Sequence, residues 1–80
     1  MRLDKYLKVS RLIKRRTVAN EACDSGRVCV NNKVARASYD VKVGDEITIS
    51  FGARPVSVRV LEVKESAFKD DARGMYEVIE

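Results

Sequence analysis

Eighty residues with 16 Lys and Arg against 12 Asp and Glu, two cysteines and no histidine make one small domain of formal charge +4. Without histidine the commonest general base near neutral pH is missing, as is every Ser-His or Cys-His nucleophile pair; two thiols alone do not complete a zinc site. No apolar run approaches the ~18 residues of a membrane span and none reads as a signal-peptide core. The expectation is a non-catalytic cytoplasmic domain that uses no metal, no cofactor and no membrane, with Cys23 and Cys29 as small buried apolar residues.

The charge is concentrated. The first sixteen residues hold seven basic side chains against Asp4, net +6, while residues 17–80 hold nine basic and eleven acidic, net −2. Leu3, Tyr6 and Leu7, continued by Val9, Leu12 and Ile13, give residues 3–16 a helical spacing. Lys5, Lys8, Arg11 and Arg15 fall at steps of three, three and four, so an unbroken helix would align them in one exposed stripe. Such a stripe repels itself, and only Asp4 offsets it. Ser10 and Thr17 are both candidate N-caps, which leaves open one helix or two short ones. Residues 17–23 read as a helix with Val18 and Ala22 facing inward; Asn20 stands where a capping box needs Glu or Gln. Gly26 is a natural stop.

Beyond Gly26 the apolar period changes from 3.6 to 2. Residues 27–30 and 33–35 read as strands around Asn31-Asn32, a pair that tolerates the left-handed angles of a type I′ turn. Val43-Gly44-Asp45 marks another turn before a strand over residues 46–51. Gly52-Ala53-Arg54-Pro55 breaks the chain ahead of a strand over residues 56–63. Residues 65–74 read as a polar loop with room for one helical turn, and residues 75–79 as the last strand. The predicted fold is α+β: an N-terminal helix-turn-helix packed on a small, mainly antiparallel sheet.

A cationic face on a near-neutral body suits a polyanion, most often nucleic acid. Arg and Lys neutralise phosphates, and Arg also grips them bidentately or stacks on a base. Lys14, Arg15 and Arg16 form a corner before the second helix, where Thr17 and the free N–H groups of the helix start would add neutral phosphate contacts; Lys33 and Arg36 extend the basic set onto the hairpin. The same cluster also fits a solvated face, an acidic protein or lipid head groups, although the apolar residues of a membrane-surface helix are needed here for the core. The second helix exposes Asn20, Glu21 and Asp24, whose acids would meet DNA phosphates poorly, so reading of backbone and shape in structured RNA is favoured.

Arg2-Leu3-Asp4-Lys5-Tyr6-Leu7, the corner Arg15-Arg16-Thr17, Gly26-Arg27-Val28-Cys29-Val30-Asn31 and Val43-Gly44-Asp45-Glu46-Ile47 resemble the S4-type RNA-binding domain (the alpha-L motif). From its start through Thr17 to Met75-Tyr76-Glu77-Val78-Ile79, the chain is similar to the RqcP family, stand-alone S4 proteins of bacterial ribosome-associated quality control. The related heat-shock protein of proteobacteria has a basic C-terminal extension, whereas residues 61–80 hold three basic and six acidic residues. The resemblance implies a single domain over residues 1–80, with the S4 motif at about 1–60 and a short strand extension at 61–80. It implies a cytoplasmic, ribosome-associated monomer that binds the obstructed large ribosomal subunit, touching large-subunit rRNA and P-site tRNA. Such a protein stabilises the peptidyl-tRNA while an alanine-tailing factor, with direct contact left open, extends the stalled chain. Arg2 and Arg16 would be the main rRNA contacts, with Lys5, Lys8, Arg11, Lys14, Arg15 and Thr17 around them. Asp4 would orient a neighbouring arginine or cap the helix. The rival readings are a general rRNA or tRNA chaperone or translation regulator without a tailing role, an RNA-modifying enzyme, and an interaction module using the acidic C-terminal third.

Overall fold

The computed structural model describes residues 1–65, 72 and 74–79. Helices α1 (Leu3–Val9) and α2 (Arg16–Asp24) precede strands β1 (Val28–Val30), β2 (Lys33–Val34), β3 (Glu46–Phe51), β4 (Arg54–Val60) and β5 (Tyr76–Val78). The strands form one antiparallel sheet in the order β2-β1-β3-β4-β5, as the α+β expectation required.

The basic segment is not one helix. α1 ends at Val9 because the chain turns left-handed at Arg11, φ 65°, whose N–H donates to the Lys8 carbonyl at 3.1 Å. Ser10 is therefore a C-cap, not an N-cap, and its hydroxyl donates to the Leu7 carbonyl. This turn lets Ile13 drop into the core and α2 fold back on α1. α2 starts one residue before Thr17, with Arg15 as an extended N-cap that offers no side-chain cap. Its buried residues are Ala19, Ala22 and Cys23, spaced three and four apart; Val18, expected inward, is 42% exposed. α2 ends in a Schellman motif: the Gly26 N–H donates to the Cys23 carbonyl, the Arg27 N–H to that of Ala22, and Gly26 takes φ 84°.

Asn31 (φ 53°) and Asn32 (φ 69°) form the two-residue turn between β1 and β2, with Val30 opposite Lys33. β4 starts earlier than expected. Pro55 pairs with Ser50, which narrows the break to Gly52-Ala53. The ring is tolerated because β5 reaches only Val58 to Val60 and, among the described residues, leaves the other side of Pro55 unpaired. β4 also stops at Val60, not at residue 63, since the N–H groups of Leu61 and Glu62 both turn to the Met75 carbonyl. The loop expected over residues 65–74 falls mostly outside the described residues.

One sheet face, carrying Val28, Val30, Ile47, Ile49, Val58 and Val60, joins Leu3, Tyr6 and Leu7 of α1 and Ala19, Ala22 and Cys23 of α2 in a single core. The two-residue period of β1 turns Cys29 to the opposite face, where it is half-buried and free; only Cys23 is a buried cysteine. The Tyr6 hydroxyl donates to the Met75 carbonyl at 2.7 Å, joining α1 to the last strand across the core. Burial above all, with Tyr76 adding to it, pushes the pKa of this phenol up, so it remains a donor. The segment before β3 wraps the N-terminus: Leu3 N–H donates to the Tyr39 carbonyl, Asp4 N–H to that of Ala37, and Val41 N–H to that of Met1. This packing fixes the start of α1, and with it Arg2 and Asp4.

Candidate nucleic-acid interface

Asp4 is the organising residue. It is 2% exposed in the first turn of α1, where its carboxylate gathers donors from three parts of the chain. Oδ1 accepts from the Lys5 N–H at 2.8 Å and Arg2 Nε at 3.1 Å. Oδ2 accepts from Asn20 Nδ2 at 3.1 Å and Arg2 Nη2 at 3.4 Å, and lies 3.5 Å from Arg16 Nε. Burial is the largest influence on this carboxyl and would raise its pKa. Arg2, Asn20, the Lys5 N–H and Arg16 together outweigh it and hold the pKa below the usual aspartate value. Asp4 is thus an anion, and the two guanidiniums it holds remain half exposed. Each keeps N–H donors that Asp4 does not use.

Asn20 is a site residue that sequence reasoning placed on the exposed face of α2. It is half-buried and braces Asp4 instead. The signal was its spacing of four from Arg16, which puts both on one side of α2. Thr17 is exposed beside them at the first turn of α2, where the absence of a cap and of acidic residues leaves an anion-attracting helix start.

The other basic residues divide into three sets. Lys8, Arg11, Lys14 and Arg15 are exposed and form no ion pair among the described residues. With Arg11 in a left-handed turn and Arg15 outside α1, they lie around the corner rather than along the single stripe that a continuous helix predicts. Lys5 leaves this set: it is half-buried and pairs with Glu65, from the far end of the chain. Lys33 and Arg36 are exposed on β2 and just after it. Among the described residues, no three Cys, Asp or Glu side chains converge to hold a metal, and no helix is long and apolar enough to cross a membrane.

The S4 domain family matches residues 1–47, the span from α1 into β3 that carries the Asp4 cluster and the hairpin. An RQC P-site tRNA stabilizing factor of Streptococcus pneumoniae is 60% identical over 79 residues, which cover 99% of this chain and 90% of that one. The chain belongs to this family of S4-domain proteins. The Bacillus subtilis protein of the same name is 54% identical over 79 residues, 99% of this chain and 92% of its own. Among solved structures, Heat Shock Protein 15 of Vibrio cholerae, trimeric in its structure at 2.3 Å, superposes with a TM-score of 0.90 at 26% identity over 98% of this chain and 80% of that one. The hypothetical protein HP1423, solved in solution, gives a TM-score of 0.85 at 29% identity over 100% and 98%. The chain and HP1423 therefore share one fold.

Proposed function

We propose that this chain is a non-catalytic RNA-binding factor of ribosome-associated quality control, cytoplasmic and ribosome-associated. In this reading it binds the obstructed large ribosomal subunit and stabilises P-site peptidyl-tRNA while stalled chains receive C-terminal alanine tails. The names of its relatives support the pathway. The observation that carries the RNA-binding part is the pair of half-exposed arginines, Arg2 and Arg16, held by the buried carboxylate of Asp4. Lys8, Arg11, Lys14, Arg15 and Thr17 would extend the contact along the phosphate backbone, with Lys33 and Arg36 on the hairpin. Lys5 contributes less while it pairs with Glu65. The mechanism is mass action: a protein that touches rRNA and tRNA together raises the population of the state in which both are bound.

The test is recovery of the tagged chain from its own cells, with its rRNA, tRNA and protein partners quantified. Free large subunits enriched in peptidyl-tRNA and in the alanine-tailing factor are expected. Intact ribosomes or mixed RNA without tRNA enrichment would overturn the tailing role and favour a general rRNA or tRNA chaperone. A monomer is part of this reading; a trimer of the purified chain by light scattering, as in the Vibrio cholerae protein, would correct it.

A further inference from the structure

A second polar cleft lies apart from the Asp4 cluster. Asn31, Lys33, Val34, Arg36 and Tyr39 line it, between the β1–β2 hairpin and the segment that follows, above the buried Val30 and Ala35. One carboxylate ties its walls together. Asp45 Oδ1 accepts from Asn31 Nδ2 at 3.1 Å, and Oδ2 from the Tyr39 hydroxyl at 3.2 Å and the Lys42 N–H at 2.9 Å. Asn31 is held a second time, because its Oδ1 accepts from the Glu46 N–H at 3.0 Å. The hairpin wall and the aromatic wall are thus set before any ligand arrives, which lowers the ordering cost of binding. Lys33 and Arg36 stand exposed at this cleft with no ion pair among the described residues. Val34 is 65% exposed, apolar surface left to water on an edge strand.

A phosphate backbone alone would use the two cations but gain nothing from the ring or the valine. An unpaired nucleotide uses all of them: its base packs on an aromatic or apolar surface, and its flanking phosphates take the cations. We propose that this cleft seats one unpaired nucleotide of the bound RNA, its base against Tyr39 and Val34 and its phosphates on Lys33 and Arg36. The proposal rests on the RNA-binding reading above and specifies which part of the RNA the hairpin contacts. The segment bearing Tyr39 is the same one that clamps α1, through the Leu3 N–H to Tyr39 carbonyl bond at 2.8 Å and the Asp4 N–H to Ala37 carbonyl bond at 3.2 Å. The cleft and the Asp4 cluster are therefore joined through one backbone segment.

The test compares two fluorescein-labelled RNAs on the full chain by anisotropy: a stem with a bulge, and the same stem fully paired. The bulged RNA is expected to bind roughly tenfold more tightly, the scale of one base stacked on an aromatic ring. Tyr39→Leu should erase that preference, and Tyr39→Phe, which keeps the ring, should retain it. Lys33→Ala combined with Arg36→Ala, both at exposed positions, should reduce it without loss of folding. Equal affinity of the unmodified chain for the two RNAs, or a preference that survives Tyr39→Leu or the double variant, overturns the cleft assignment while RNA binding stands. Failure to bind either RNA overturns the RNA-binding reading as well.

Discussion

Asp4→Asn keeps the shape of the side chain and removes its charge, so it tests the carboxylate rather than the volume. The oxygen that faces the Lys5 N–H and Arg2 Nε can be kept, but the new amide nitrogen must then face Asn20 Nδ2, Arg2 Nη2 and Arg16 Nε. Asn20 can rotate its amide to accept; neither guanidinium can. A charge-assisted hydrogen bond is worth about 1.5–3 kcal/mol when desolvated, but both arginines are half exposed, which brings each pair toward the ~0–1 kcal/mol of surface ion pairs. The net cost to stability is about 1–2 kcal/mol, a fall in Tm of roughly 5–15 °C for a domain of this size. For RNA binding two effects oppose each other. Removing the carboxylate makes the local field more positive, worth about 1 kcal/mol or less at a screening length of about 8 Å. Releasing the two arginines restores rotamer freedom that binding must remove, about 0.5–1.5 kcal/mol for each. Loss of order is the larger effect, and roughly a fivefold loss of affinity for structured RNA is expected. The slope of log affinity against log salt should not fall, because no cation has been removed. Thermal unfolding and fluorescence anisotropy on the same preparation make the measurement. Unchanged or tighter binding by a folded variant would refute the view that Asp4 prepares Arg2 and Arg16 for RNA.

The same carboxyl carries a pH signature. Its folded pKa lies below its unfolded value, so its stabilisation is complete above about pH 5 and is lost as the pH falls through the usual aspartate value and below. The stability gap between the unmodified chain and Asp4→Asn should therefore narrow between pH 7 and about pH 3 in urea titrations; a constant gap would count against an ionised, paired Asp4. Arg11→Gly relieves a left-handed residue and is expected to raise stability by up to about 1 kcal/mol after the added chain entropy of Gly; it should also lower the RNA salt slope by roughly 0.7–0.9 if Arg11 meets a phosphate. A fall in Tm would show that the Arg11 side chain matters to the fold. Tyr6→Phe should cost only about 0.5–1.5 kcal/mol, because the Met75 carbonyl keeps the Leu61 and Glu62 N–H donors at 2.8 and 3.1 Å; urea unfolding reads this directly. Burial, with Asp4 and Asp24 adding to it, pushes the Cys23 thiol up to about 11. A thiol reagent near neutral pH should therefore modify the half-buried Cys29 first and reach Cys23 only on unfolding, and equal rates in the native chain would contradict the packing of α2.

Where a feature rests on short-range chemistry, the residues themselves announced it. Leu3, Tyr6 and Leu7 marked the inner face of α1, Gly26 the Schellman stop, and Asn31-Asn32 the type I′ turn, since each is set by helical or strand periodicity or by backbone angles within a few residues. Whether the basic segment was one helix or two stayed open in the sequence because arginine at Arg11 has no preference for the left-handed region; packing of Ile13 and α2 places it there. Pro55 likewise read as a break, because whether a proline is tolerated depends on the neighbouring strand, and here β5 does not reach it.

The cationic end, the α+β class and the family resemblance all follow from residue type and spacing, because charge and periodicity are properties that every folded arrangement of the chain inherits. Which cations are held in place, and by what, does not follow from type. Arg2 and Arg16 look no different in composition from Lys5 or Arg11, yet two of them share Asp4 with Asn20, one pairs with Glu65, and one holds a turn. The family resemblance singled out Arg2, Arg16 and an orienting Asp4, but the partners Asn20 and Glu65 emerged only in the closed fold, because an ion pair or a hydrogen bond requires atoms within a few ångströms, and packing of the helices on the sheet decides which distant residues come that close.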